Sequence, residues 1–209
     1  MSRSLRLLVL LVAVAAGCAP RARQLAGTPS VARLPVTELQ GARQIVFRWS
    51  YEEGSLHAGG EGVASVAAPD SARLDLFLDG GLGGGRALLF GDSLVVLGGD
   101  GIRRFLPPPP LLWASLGRLA VPSAADTAAR SEGAVLRADI GAEPRYRATF
   151  DSTGLARLER IAGGRIMEWV ARTDARNVRY VNEAARRSLT IVITRNEAVE
   201  GFDASFWDH

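Results

Sequence analysis

The feature that most restricts this chain is a two-residue period in its apolar positions, renewed at roughly 8–12-residue spacing after each breaker. From Arg43 onward, Ile45, Phe47, Trp49 and Tyr51 alternate with Val46, Arg48, Ser50 and Glu52, the pattern of a half-buried strand. A second, glycine-rich strand is predicted over residues 57–67. Pro69-Asp70 then makes a turn, and Leu74, Leu76 and Leu78 alternate with Arg73, Asp75 and Phe77. After the glycine run from Gly80 to Gly85, residues 86–90 and 94–97 read as strands around a Gly91-Asp92 turn. Residues 102–105 read as another short strand. The rhythm returns over 134–140, 145–150, 155–161, 166–171, 178–181 and 188–194, with breakers at Gly141, Gly154, Gly163-Gly164 and Asn182 between them.

One interruption divides this series. Pro107 to Pro110 lack N–H donors and cannot extend a ladder. The Leu111–Gly117 stretch behind them predicts one or two turns of amphipathic helix, since proline suits a helix start. Residues 123–131 are small and polar and predict a loop or helical turn, and a short helix is expected over 35–42 with Thr37 as its cap. The expected fold is mainly β with small helices: a curled antiparallel half-barrel with an apolar concave face. Residues 35–209 form one domain in this reading.

The amino terminus has a different character. Arg3 and Arg6 precede an apolar run from Leu7 to Ala16, too short to span a bilayer as a helix. Small residues and the single cysteine follow, as Ala15-Ala16-Gly17-Cys18. Residues 1–17 are therefore expected to be a secretory signal peptide. The run also resembles the bacterial lipobox, which implies that Cys18 becomes a lipidated amino terminus. A lone Cys in an exported chain has no intramolecular disulfide to make, and lipidation accounts for it. Residues 18–34, with their Pro, Gly and Ser, read as a lipidated Cys and a flexible tether. Ala19 in place of Asp removes the familiar inner-membrane retention signal, so the expected location is the outer membrane, lipid-anchored, with the domain facing the periplasm.

Composition narrows the chemistry. All 25 basic residues are Arg, so Lys-dependent Schiff-base and P-loop chemistry are excluded. Beyond residue 17 there remain 23 Arg against 22 acids, a near-balance that argues against nucleic acid as partner. Two His and one Cys leave little for a metal site or a nucleophile. The glycine run at 80–85 precedes a strand where a dinucleotide fingerprint needs a helix. Gly91-Asp92-Ser93 is similar to the GDS block of a lipase-type hydrolase, but it falls at a hairpin turn that favours Asp and Ser for local hydrogen bonds. No enzyme activity, metal or cofactor is expected.

Several segments between residues 43 and 120, taken in order, resemble the LolA/LolB family. Gly60-Glu61-Gly62 leads to Pro69-Asp70-Ser71-Ala72-Arg73-Leu74, similar to the family's P-x-x-x-R-L segment. Gly81-Leu82-Gly83 before residues 86–90 looks like a protruding hairpin with an exposed Leu, and residues 107–117 resemble a proline segment and helix closing a cavity mouth. The resemblance implies a hydrophobic cavity for acyl chains or lipoproteins and a periplasmic carrier as a partner, while palmitate is expected as the label taken up at Cys18. Phe47, Trp49, Leu74, Leu76 and Trp113 would line the ligand site, and Leu82 would touch the membrane. The alternatives are an assembly lipoprotein whose concave face is ordinary core, and, more distantly, a GDS-type hydrolase.

Overall fold

The computed structural model describes residues 19–81, 83–97, 100–122 and 126–208. The strands are β1 (Thr28–Pro29), β2 (Ala42–Glu53), β3 (Leu56–Ala67), β4 (Ser71–Leu78), β5 (Gly84–Phe90) and β6 (Ser93–Leu97), then β7 (Thr127–Glu132), β8 (Val135–Ile140), β9 (Arg145–Asp151), β10 (Gly154–Ala162), β11 (Arg165–Arg172), β12 (Asn177–Asn182) and β13 (Arg187–Val199). Two short helices, α1 (Asp100–Phe105) and α2 (Pro109–Ser115), lie between β6 and β7. All strands join one antiparallel sheet in the order β1-β7-β8-β9-β10-β11-β12-β13-β2-β3-β4-β5-β6. It consists of two meanders, β2–β6 and β7–β13, zipped together where β13 pairs along the whole of β2. Because β1 and β6 are its two edges and do not pair, the sheet curls without closing.

The alternation read from the sequence sets the inner face. Ile45, Phe47, Trp49 and Tyr51 of β2 are buried while Arg48, Ser50 and Glu52 between them are exposed. Ala72, Leu74 and Leu76 of β4 continue that layer, and Ala148, Phe150, Leu158, Val170, Val178 and Tyr180 carry it across the second meander. Two glycines serve close approach. A Cβ on Gly62 would meet the Phe47 ring at 2.5 Å, and one on Gly85 would meet Ile102 Cγ1 at 2.5 Å. The glycine-rich strands are thus where a ring and a helix settle onto the sheet.

Three local expectations are corrected. Residues 102–105 belong to a helix, α1. Ile102, Phe105 and Leu106 are buried at helical spacing, and Arg103 and Arg104 face outward. Residues 127–132 form β7, a hairpin partner of β8 across Gly133-Ala134, so sheet pairing overrides the small polar character of the stretch. Residues 35–40 form no helix; Thr37 accepts the Leu119 N–H at 2.7 Å and caps nothing.

Residues 19–30 lie against the outer face. Ile166 N–H donates to the Pro20 carbonyl at 2.9 Å, Ala22 N–H to Gly164, and Ser30 N–H to Ala129. Arg165 holds the Ala19 carbonyl at 2.9 Å and Arg147 the Arg23 carbonyl at 2.8 Å. At the other terminus Phe202, Phe206 and Trp207 stack together, with Trp207 against Phe90 and Arg73 over the Phe206 ring at 4.3 Å. No helix among the described residues is long and apolar enough to cross a membrane.

Candidate apolar ligand site

The connection between the two meanders crosses the concave face, and this places the candidate site. Pro107 and Pro108 deliver the chain into α2, which starts with Pro109 and Pro110 at its first turn, where missing N–H groups cost nothing. From Leu111 to Ser115 every residue of α2 is buried. Its last turn is fixed by Arg172, whose Nη1 donates to the Ser115 carbonyl at 2.6 Å. That carbonyl is one of the acceptors a helix end leaves unpaired. Burial pulls the Arg172 guanidinium below its ordinary pKa.

Between these helices and the sheet lies a small apolar cavity of about 20 Å³. Phe47 and Trp49 of β2, Leu74 and Leu76 of β4, and Leu189 and Ile191 of β13 form its sheet side; Phe105, Leu106 and Leu112 form its helical side. A volume of this size holds about one water, and an apolar lining keeps it dry. The space that an acyl chain would need is filled by the protein's own Phe105 and Leu106. The Phe105 ring centroid lies 5.4 Å from that of Trp49 and 4.8 Å from that of Tyr51, distances at which tilted rings attract.

α1 therefore works as a plug, and a polar latch lies at its end. Arg104 Nε meets Glu53 Oε2 at 2.6 Å, and the Tyr51 hydroxyl donates to the same oxygen at 2.6 Å. Arg187 Nη1 donates to the Arg104 carbonyl at 3.3 Å. The hydrogen bond from Arg104, then that from Tyr51, hold the Glu53 carboxyl below its ordinary pKa of 4.5. Burial first, then Glu53, hold the Tyr51 phenol above its own, so it stays a donor. Water-exposed ion pairs of this kind contribute little to stability. Burying each large side chain of the plug is worth about 1.5–3 kcal/mol. The apolar contacts keep α1 seated, and the latch sets its register.

Because the Glu53 pKa is lowered in the folded chain, its stabilising contribution is complete above the ordinary carboxylate range and is lost as pH falls through the lowered value. The expected result is that the Arg104 Nε–H signal in NMR spectra shifts as pH falls below the ordinary glutamate range. Glu53→Gln should abolish that transition. A signal unchanged by acid in the wild type would show that the latch is not formed in solution.

Four of the five expected ligand residues, Phe47, Trp49, Leu74 and Leu76, converge on the cavity. Trp113 lies outside its lining: it is fully buried, its indole N–H donates to the Gly91 carbonyl at 2.6 Å, and Arg118 covers its ring at 4.7 Å. Cys18 and Leu82 lie outside the described residues. Around Leu82, Gly80, Gly81 and Gly83 have φ of 78°, 69° and 117°, a backbone that favours glycine. Phe77 on the same hairpin is 54% exposed. Ser93 pairs with Phe90 across the two-residue Gly91-Asp92 turn and is exposed. The sequence reading missed Phe105, Leu106, Leu112, Leu189, Ile191 and the Glu53–Arg104 pair. Spacing of Ile102, Phe105 and Leu106 by three and one was the available signal for the plug.

No family model matches this sequence, and no curated protein does. Among solved structures, the fold is similar to a domain from Vibrio parahaemolyticus named for outer membrane lipoprotein sorting. The two share 7% identity with a TM-score of 0.52, over 80% of this chain and 89% of that one. A DUF1329 family protein from Desulfovibrio piger aligns at 9% identity with a TM-score of 0.45, over 80% of this chain and 90% of that one. The shared fold is a LolA/LolB-like half-barrel: a large, unclosed antiparallel sheet with small helices on its concave side.

Proposed function

We propose that this chain is a lipid-anchored, non-enzymatic envelope protein. It binds acyl chains, free or as part of lipoproteins, beneath α1 and helps localise them at the outer membrane. The observation that carries the reading is the plug. Six apolar side chains from β13, β2 and β4 surround a cavity whose remaining wall, Phe105, Leu106 and Leu112, belongs to the helical connection and not to the sheet. Withdrawal of α1 would vacate the volume of Phe105 and Leu106 and expose an apolar trough, and an entering chain would replace the buried area at about 25 cal/mol per Å². The naming of the Vibrio parahaemolyticus domain supports an envelope role of this kind. The Cys18 lipobox supports anchoring, and the exposed Phe77 beside the glycine tip supports Leu82 as a membrane contact.

A second reading has its own observation: at about 20 Å³ the cavity is nearly filled, as it would be in an assembly lipoprotein that uses the sheet only as scaffold. Native mass spectrometry of the purified protein separates the two. Co-purifying acyl lipid is expected, and Phe105→Ala should raise the uptake of an apolar fluorescent dye by opening the cavity. Absence of both lipid and dye from wild type and variant would favour the scaffold. Labelled palmitate should enter the wild-type chain and not Cys18→Ser; a wild-type chain that takes no label has no lipid anchor.

A further inference from the structure

Outside the plug, the fold opens a second, solvent-accessible cavity of about 680 Å³ at the start of the proline run. Its walls are polar and basic on one side, with Arg103, Arg104 and Arg187, and apolar on the other, with Leu94, Leu106 and the prolines. Leu106 also lines the small apolar cavity, so its side chain belongs to the walls of both spaces. Asp92 and Glu168 reach the outer cavity as well. Glu168 is engaged by Arg160 at 2.8 Å and by the Tyr180 hydroxyl at 3.2 Å, and Arg104 is engaged by Glu53. With those pairs set aside, Arg103 and Arg187 face the single carboxylate of Asp92, and the cavity is net positive. Arg187 adds a further sign: its Nε is buried with no hydrogen-bond partner among the described residues. A buried donor left unpaired is costly, and it adds to the positive character of this wall.

We propose that this outer cavity is a head-group site. It takes the anionic head, a carboxylate or a phosphate, of an amphiphile whose acyl tail passes Leu106 into the apolar cavity. The two cavities supply the two halves of such a molecule, basic outside and apolar inside, with Leu106 as the boundary. The proposal rests on the acyl-binding reading above and adds to it the charge of the ligand. Guanidinium groups suit the role because their N–H forks match the two oxygens of carboxylate or phosphate.

The test compares palmitate with its uncharged methyl ester on the purified full-length protein, read by native mass spectrometry and by tryptophan fluorescence. Palmitate is expected to bind about tenfold more tightly, the ratio that one charge-assisted hydrogen bond supplies. Arg187→Gln should bring that ratio near one without weakening the ester. Arg103→Gln, a change on an exposed position of α1, should lower it in the same direction and serves if Arg187→Gln does not fold. Palmityl phosphate and inorganic phosphate distinguish the source of the oxyanion. Binding of the tailed phosphate with little competition from the free ion supports the amphiphile. Tight binding of inorganic phosphate with none of palmitate would show an isolated anion site and overturn the proposal. Equal binding of palmitate and its ester would also overturn it while leaving the acyl reading intact. If neither binds, the acyl reading itself fails.

Discussion

Trp113→Ala is expected to destabilise the protein by about 3–5 kcal/mol, the largest effect of any single side chain on the helical connection. Trp113 is fully buried in α2, and its indole N–H makes a 2.6 Å bond to the Gly91 carbonyl at the turn between β5 and β6. The ring therefore ties the helix of the second half of the sheet to an edge hairpin of the first. Truncation to alanine removes the ring, leaves a hole that close-packed neighbours fill only in part, and strips the Gly91 carbonyl of its donor. Against a total stability of about 5–15 kcal/mol, such a loss leaves a marginal fold. Trp113→Phe keeps most of the volume and should cost about 1–3 kcal/mol, the price of the unpaired carbonyl. Urea titration followed by circular dichroism reads both. A loss below about 1 kcal/mol for the alanine variant would return Trp113 to the ligand-facing role that its sequence position suggests.

The second large effect is expected at Arg147. Its Nε and Nη2 grip both oxygens of Asp139 at 2.7 and 3.0 Å, and its Nη1 holds the Arg23 carbonyl. The side chains of the pair are only 10% and 13% exposed. Arg147→Met leaves Asp139 buried with Arg145 alone, at 3.4 Å, and should cost about 3–5 kcal/mol, as breaking a buried pair does. It should also free residues 19–25 for proteolysis at their amide bonds. The double change Arg147→Met with Asp139→Leu removes the orphan charge and should recover most of the stability. If the double variant is as unstable as the single one, the cost arises from lost packing of Arg147 and not from the charge left behind.

The parts of this fold that were legible are those in which a strand carries its own message. Ile45, Phe47, Trp49 and Tyr51 announce an inner face because a period of two can be read over eight residues without knowing the partner strand. The same pattern placed Phe47, Trp49, Leu74 and Leu76 on the concave side, where the structure brings them together. Over residues 102–105 the window is too short to distinguish three-residue from two-residue spacing, so helix α1 was read as strand. The latch was invisible for another reason: Glu53 and Arg104 are 51 positions apart, and only the path of the connection over the sheet makes them neighbours. Trp113 shows the converse limit. An aromatic after a proline run reads equally as cavity lining or as core, and the choice turned on a carbonyl at Gly91, 22 residues away.

An unclosed sheet leaves two ladders without a partner, and the pairing of Thr28 and Pro29 with Ser131 and Arg130 bears on one of them. An unpaired strand edge is a template for association with another copy of the same chain. Here residues 28 and 29 occupy the β7 edge, and Pro29 has no N–H to offer a further strand. The leading segment thereby acts as a guard against self-assembly. A version of the protein trimmed to residue 31 would present the ladder of Thr127–Glu132 bare, and its solution state would be that of a protein seeking a neighbour.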